Sequence, residues 1–197
     1  SRGLGDVYKR QDFIFSKTKN KVTDLEAFSS VMDMVSGYGF AMQGYPVRSL
    51  FSLDFRGLNE EGLPTFINEN GELTTSNINF QERNNKSHLI YEGTTDPTIT
   101  GSLGNVFSYK GLKLNVFITY SFGNVIRLDP VFSNQYTDLD AMPKEFKNRW
   151  MRPGDEHRTN IPVIADKYMN VNDSYLSRAY NAYNYSSCLL YTSDAAD

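Results

Sequence analysis

Hydrophobic and polar positions alternate most cleanly between Ile99 and Phe122. Leu112, Leu114, Val116, Ile118, Tyr120 and Phe122 fall on one side, and Lys113, Asn115, Thr119 and Ser121 on the other, with Phe117 the single break. A period of two is the signature of a strand. Folding the chain at Lys110-Gly111, with glycine supplying a positive φ, predicts a two-residue hairpin. Tyr109 then faces Leu112, Phe107 faces Leu114, Leu103 faces Ile118, and Gly101 faces Tyr120. Each arm is long enough to cross a bilayer, which takes about 9 to 11 residues of strand.

The same pattern recurs less regularly elsewhere. Asp12 to Thr18 reads as the end of a strand, with Lys19-Asn20-Lys21 as its polar exit. Residues 26–44 mix Met32, Met34, Val35 and Phe40 with three glycines and read as a partly ordered loop. Tyr45 to Arg56 alternates again and predicts a second clear strand, and Thr65 to Ile67 a short one. Turn chemistry lies at 57–64 and at Asn68-Glu69-Asn70-Gly71. From Gly123 to Tyr185 the alternation is lost, over a stretch far longer than the usual loop of about 4 to 6 residues. Within it, Asp140 is expected to cap a short helix running to Arg149 or Trp150, with Met142, Phe146 and Trp150 as its apolar stripe and Pro153-Gly154 as its stop.

Composition changes this picture in one respect. The chain of 197 residues is 40% hydrophobic and 14% aromatic, with 13 Tyr and 13 Phe, so it has apolar surface to spare but deploys it in alternation. No run of about 18 apolar residues occurs, which excludes a membrane helix and leaves barrel strands as the other way to span a bilayer with every backbone group bonded. The net charge of −3 and the lack of any Lys/Arg-rich block argue against nucleic acid as a partner.

Both ends read as foreign to the pattern. Residues 1–11 and 187–197 do not continue the alternation of their neighbours and are expected to be non-native tails around an incomplete barrel domain at 12–186. Cys188, the single cysteine, lies in the second of these, so neither a disulfide framework nor a thiolate metal site is expected.

Candidate chemistry is sparse. His88 and His157 are the only histidines, and the Asp155-Glu156-His157 triplet lacks the spacing of a metal site. Asp138 and Asp140 would suit a carboxylate pair for glycoside cleavage, but capping explains Asp140 more simply. No Gly-rich phosphate loop, HExxH, GxSxG or calcium-loop pattern is present, so the chain is expected to be no enzyme and to need no cofactor. The candidate ligand-binding residues are Tyr168, Tyr175, Tyr180 and Tyr183, joined by Tyr185 and interleaved with Asn170, Asn172, Asn181 and Asn184. Aromatic faces stack on sugar rings while amides bond hydroxyls; the alternative is that these tyrosines belong to an aromatic girdle at the bilayer rim.

Five motifs then occur in a telling order: Asn20-Lys21-Val22; Gly44-Tyr45-Pro46-Val47-Arg48-Ser49-Leu50; Asp96-Pro97-Thr98-Ile99-Thr100-Gly101; the Tyr109-Lys110-Gly111 turn with its strand to Gly123-Asn124; and Arg149-Trp150-x-x-Pro153-Gly154-Asp155. In order and spacing the chain resembles SusC/RagA-type TonB-linked outer-membrane transporters over about residues 12–185. The resemblance implies a piece of a large barrel of about 22 strands, near its carboxyl end, with the plug and TonB-contacting segment absent. It implies import of oligosaccharide or peptide across the outer membrane, with a SusD-like surface lipoprotein and TonB as partners. The expected fold is therefore all-β: an antiparallel transmembrane barrel segment with long extracellular loops and one short loop helix.

Loop lengths then set the expected topology. Lys110-Gly111 is placed at the periplasmic end and the excursion after Gly123 outside. Residues 45–67 could supply two barrel crossings or an extracellular ribbon. A secreted β-sandwich that binds carbohydrate would show the same alternation and stands as the alternative.

Overall fold

A computed structural model of the chain describes residues 7–37, 39–129, 143–164 and 174–192. Its largest sheet has three antiparallel strands in the order β1 (Val7–Lys17), β7 (Ile99–Tyr109) and β8 (Leu112–Phe122), each of 11 residues. The hairpin has the expected register, with Tyr109 opposite Leu112, Leu103 opposite Ile118 and Gly101 opposite Tyr120. Lys110 and Gly111 both adopt positive φ, 47° and 86°, the geometry that matches a tight turn to the right-handed twist of its strands.

Strand β1 pairs with β7 from Val7↔Tyr109 to Lys17↔Ile99 without a break. No structural boundary therefore falls at residue 12, where the sequence pattern placed the end of a tail. At the other end, Leu189 is buried and β10 (Leu190–Thr192) pairs with β9 (Val125–Arg127).

Because β1 lies directly against β7, residues 18–98 leave the sheet and return to it without inserting a strand. Residues 45–67 therefore add no strand to this sheet and belong to a separate head. The single expected strand over 45–56 is two, β2 (Ser49–Leu53) and β3 (Phe55–Leu58), interrupted at Asp54. Strand β2 pairs with β6 (Leu89–Thr94) through a bulge at Leu50/Phe51, while β3 pairs with β4 (Pro64–Ile67), which pairs in turn with β5 (Leu73–Thr74). All five residues of β2 are buried, polar ones included, so it lacks the half-wet character that alternation implies. Its serines are satisfied internally: Ser49 Oγ donates to the Pro46 carbonyl at 2.7 Å and Ser52 Oγ accepts from Arg127 at 3.1 Å.

Two helices complete the head. The supposed loop at 26–44 contains α1 (Val31–Val35), fixed by a capping box in which Ser30 Oγ accepts from the Asp33 amide and the Asp33 carboxylate accepts from the Ser30 amide. Helix α2 (Ser174–Tyr183) turns Leu176, Ala179, Tyr180 and Tyr183 inward at helical spacing. The expected helix over 140–150 is instead a short 3₁₀ turn, Lys144–Asn148, preceded by Pro143, which offers no capping side chain. Asp138, Asp140 and Met142 lie outside the described residues.

The core sits wholly in the head. Val31, Val35, Leu53, Phe66, Leu176, Tyr180 and Tyr183 form one buried cluster, and no apolar residue of β1, β7 or β8 is among the buried ones.

Candidate functional site

The three-stranded sheet presents two unlike faces, each set by the two-residue period of its strands. Pairing across β1, β7 and β8 places Lys9, Phe107 and Leu114 in one row of the first face, followed by Gln11, Asn105 and Val116, then Phe13, Leu103 and Ile118, then Phe15, Gly101 and Tyr120, and last Lys17, Ile99 and Phe122. No carboxylate lies on this face; Phe107 lies toward one end and Phe15, Tyr120 and Phe122 toward the other, with Phe13, Leu103, Val116, Ile118 and the Gln11–Asn105 pair between them. Its one central polar pair satisfies itself, Gln11 Nε2 donating to Asn105 Oδ1 at 2.8 Å. Among the described residues nothing packs over it: Phe13 is 68% exposed and Leu112 75% exposed.

The opposite face is richer in small and polar residues but also carries Tyr8, Ile14, Val106 and Phe117. Its rows run Tyr8, Ser108, Lys113; Arg10, Val106, Asn115; Asp12, Gly104, Phe117; Ile14, Ser102, Thr119; and Ser16, Thr100, Ser121. Arg10 and Asp12 form an exposed ion pair at 3.3 Å on it. Phe117, the break in the alternation, lies opposite Gly104.

The two ends of the sheet differ as much as its faces. At one end there is only the Lys110-Gly111 turn. At the other, the chain departs after Lys17, returns at Ile99 and departs again after Phe122, and the ladder is extended there by the Thr18 amide donating to Thr98 O at 2.8 Å and the Thr98 amide to Phe122 O at 3.0 Å. Every long excursion of the described chain therefore leaves from one edge.

The tyrosines expected to form a ligand surface are scattered by the fold. Tyr168, Asn170 and Asn172 lie outside the described residues. Tyr175 is 41% exposed on α2, whereas Tyr180 and Tyr183 are each only 2% exposed. Their hydroxyls donate to the carbonyls of Val163 at 2.6 Å and Asn160 at 2.9 Å, so both tie α2 to the preceding loop rather than face solvent. Burial also pushes the Tyr183 hydroxyl far above the ordinary tyrosine range. Tyr185 meets the ring of Phe80 edge to face at 6.1 Å.

Buried charge in the head is structural in its contacts. Arg127 donates to the Phe51 carbonyl at 2.8 Å and the Ser186 carbonyl at 2.9 Å, joining β9, β2 and the segment after α2. Burial lowers its affinity for the proton, with the Glu92 carboxylate opposing, and burial raises Glu92 in turn. In the 143–164 loop, Trp150 Nε1 donates to Glu156 Oε2 at 3.0 Å and the Gly154 amide to the same oxygen at 2.7 Å. These bonds, the one from Trp150 first, hold the Glu156 carboxyl below its usual range. His157 Nε2 lies 3.8 Å from Glu156 Oε1 on an exposed side chain. Sequence reasoning passed over α2; the signal was its i, i+3, i+4, i+7 spacing of Leu176, Ala179, Tyr180 and Tyr183.

No family model matches the chain, and no curated protein matches it. Among solved structures, a chain in "Structure of the RagAB peptide transporter" is similar to it, with 18% sequence identity and a TM-score of 0.49 over 94% of this chain and 19% of that one. The chain thus spans about a fifth of the length of that solved relative.

Proposed function

We propose that the chain is part of an outer-membrane β-barrel, with β1, β7 and β8 as membrane-crossing strands and the head on the outer surface. The observation that carries this reading is the uncovered apolar face of the three-stranded sheet. Outer-membrane barrels carry an apolar outward band flanked by aromatic girdles, a polar interior, short turns on one side and long loops on the other. The apolar face, the tight turn at one end and the long excursions at the other follow that pattern, while Ile14 and Phe117 on the opposite face depart from a wholly polar interior. The sandwich alternative needs a second layer packed on the same face, and the exposure of Phe13, Leu112, Leu114 and Ile118 speaks against one.

Together with the SusC/RagA-like motif order, this supports a segment of a TonB-dependent nutrient importer for oligosaccharide or peptide, working with a SusD-like lipoprotein and without catalysis of its own. Selectivity would then lie in the head and the loops beside it. Depth-dependent quenching tests the membrane reading. In a Cys188→Ser background, a fluorophore on Val116→Cys should be quenched by acyl-chain nitroxides in vesicles, and one on Asn115→Cys should not. Equal shielding of both positions from lipid quenchers would overturn it.

A further inference from the structure

One large aromatic ring stands open at the middle of the face that the membrane reading turns away from lipid. Phe117 shares a row there with Gly104 and Asp12 and is 70% exposed, so it breaks the alternation of its strand without gaining burial. Its ring leans over the glycine: a Cβ at residue 104 would stand 3.5 Å from Phe117 Cδ2 and 3.6 Å from the Asp12 Cβ. The missing side chain leaves a shallow floor, bounded by the ring on one side and the carboxylate on the other.

Polar groups border that floor. Arg10 Nε and Nη2 both donate to Asp12 Oδ1 at 3.3 Å, which leaves the second carboxylate oxygen for another donor. The side chains of Arg10 and Asp12 are 63% and 53% exposed. Asn115 and Thr119, both exposed, flank Phe117 on β8 at two residues to either side, about 7 Å along the same face. Ile14 and Val106 are the apolar neighbours in the adjoining rows. The ion pair carries no net charge, yet it offers a strong acceptor and a strong donor side by side.

We propose that Phe117, Asp12 and Arg10 bind a neutral pyranose ring of a saccharide, with the C–H face of the sugar on Phe117 and its hydroxyls on the ion pair. The proposal rests on the barrel reading above, under which this face lines the interior, and it narrows the cargo of that reading to carbohydrate. An aromatic face takes the apolar face of a sugar ring, while a carboxylate beside a guanidinium takes neighbouring hydroxyls as acceptor and donor at once. A peptide fits less well, because its side chains need pockets and this floor is shallow and edged by ions. An anionic ligand fits less well too, because Asp12 already neutralises Arg10.

Calorimetric titration of the full chain tests this in zwitterionic detergent micelles that carry no sugar headgroup. The probes are maltohexaose, cellohexaose, mannohexaose and xylohexaose, with hexaalanine as the peptide. At least one of the saccharides is expected to bind. Phe117→Ala should weaken that binding about tenfold, and Asp12→Ala about fivefold. Phe117→Trp should retain it, and Phe13→Ala, on the apolar face, should leave it unchanged. Binding of none of the saccharides, or equal binding by the parent chain and Phe117→Ala, overturns the site. Hexaalanine bound in their place overturns it in favour of peptide. The lipid-quenching contrast between Val116→Cys and Asn115→Cys is recorded on the parent and Phe117→Ala chains alongside. A preserved contrast without saccharide binding removes the site alone, whereas a contrast missing from the parent chain removes the barrel reading and the interior site with it.

Discussion

The ring of Tyr120 lies across Gly101. Its hydroxyl reaches beyond the glycine to donate to the Ile14 carbonyl at 3.2 Å, so one side chain spans all three strands of the sheet. A Cβ at residue 101 would collide with the ring, the hydroxyl and the Ile14 oxygen. An aromatic laid over a cross-strand glycine covers backbone that glycine leaves bare and fixes the register.

Gly101→Ala should therefore expel Tyr120 from this position, breaking its hydrogen bond and its stacking on Phe122, whose ring centroid is 5.9 Å away. Tyr120→Phe should cost only the hydrogen bond, about 0.5–1.5 kcal/mol. Gly101→Ala should cost more, and the double variant Gly101→Ala/Tyr120→Ala less than the sum of the single changes, because the two residues share one contact. Urea unfolding from vesicles measures all of these; strict additivity would contradict the shared contact.

Val116 and Asn115 are neighbours in sequence on opposite faces of β8. If the apolar face meets lipid, Val116→Arg near mid-depth should cost about 2–4 kcal/mol and Asn115→Arg close to nothing. The comparison uses the same denaturation assay, and similar costs at the two positions would argue against the assigned faces.

His88 is 7% exposed in the head, and neither ring nitrogen has a hydrogen-bond partner among the described residues. Burial lowers its proton affinity, with the charges of Glu69 and Glu82 opposing. The unfolded chain therefore binds a proton at a higher pH than the folded one, so this residue makes the head less stable as pH falls below about 6.5. His88→Leu should flatten the pH dependence of amide exchange in the head between about pH 7 and pH 5. An unchanged profile would assign that dependence to other groups.

Gly62, at a φ of 77°, sits beneath the indole of Trp150, and a Cβ there would overlap the ring. Alanine at this position would be strained by its backbone and blocked by Trp150 at once. Gly62→Ala should cost on the order of 1–3 kcal/mol and release the Trp150 Nε1 bond to Glu156, read as a shift in tryptophan fluorescence. An emission spectrum identical to that of the parent chain would exclude the displacement.

The outer edges of β1 and β8 have no strand partner among the described residues. Open edges beside exposed apolar side chains template aggregation. In dilute aqueous buffer without lipid or detergent the chain should associate, which light scattering would detect; a reversible, concentration-independent thermal transition would contradict this.

What the sequence determined by itself was local. Strict alternation over Ile99–Phe122 with Lys110-Gly111 between its arms specifies strands, turn and register together, because a slip of one residue would move every apolar side chain to the other face. The same pattern marked which side of that hairpin is apolar. The weaker patterns misled where burial was two-sided or the element was short: β2 is buried at every position, so alternation carried no information there, and α1 is too brief to display a helical stripe. Only the tertiary structure decided that β1 pairs directly with β7, that residues 18–98 form a head rather than adding strands to that sheet, and that Tyr180 and Tyr183 face inward. Each depends on contacts between residues far apart in sequence, such as Lys17 with Ile99 and Tyr183 with Asn160. No periodicity within a single segment records such pairings, because their free energy comes from apolar surface and backbone groups that meet only once the chain has folded.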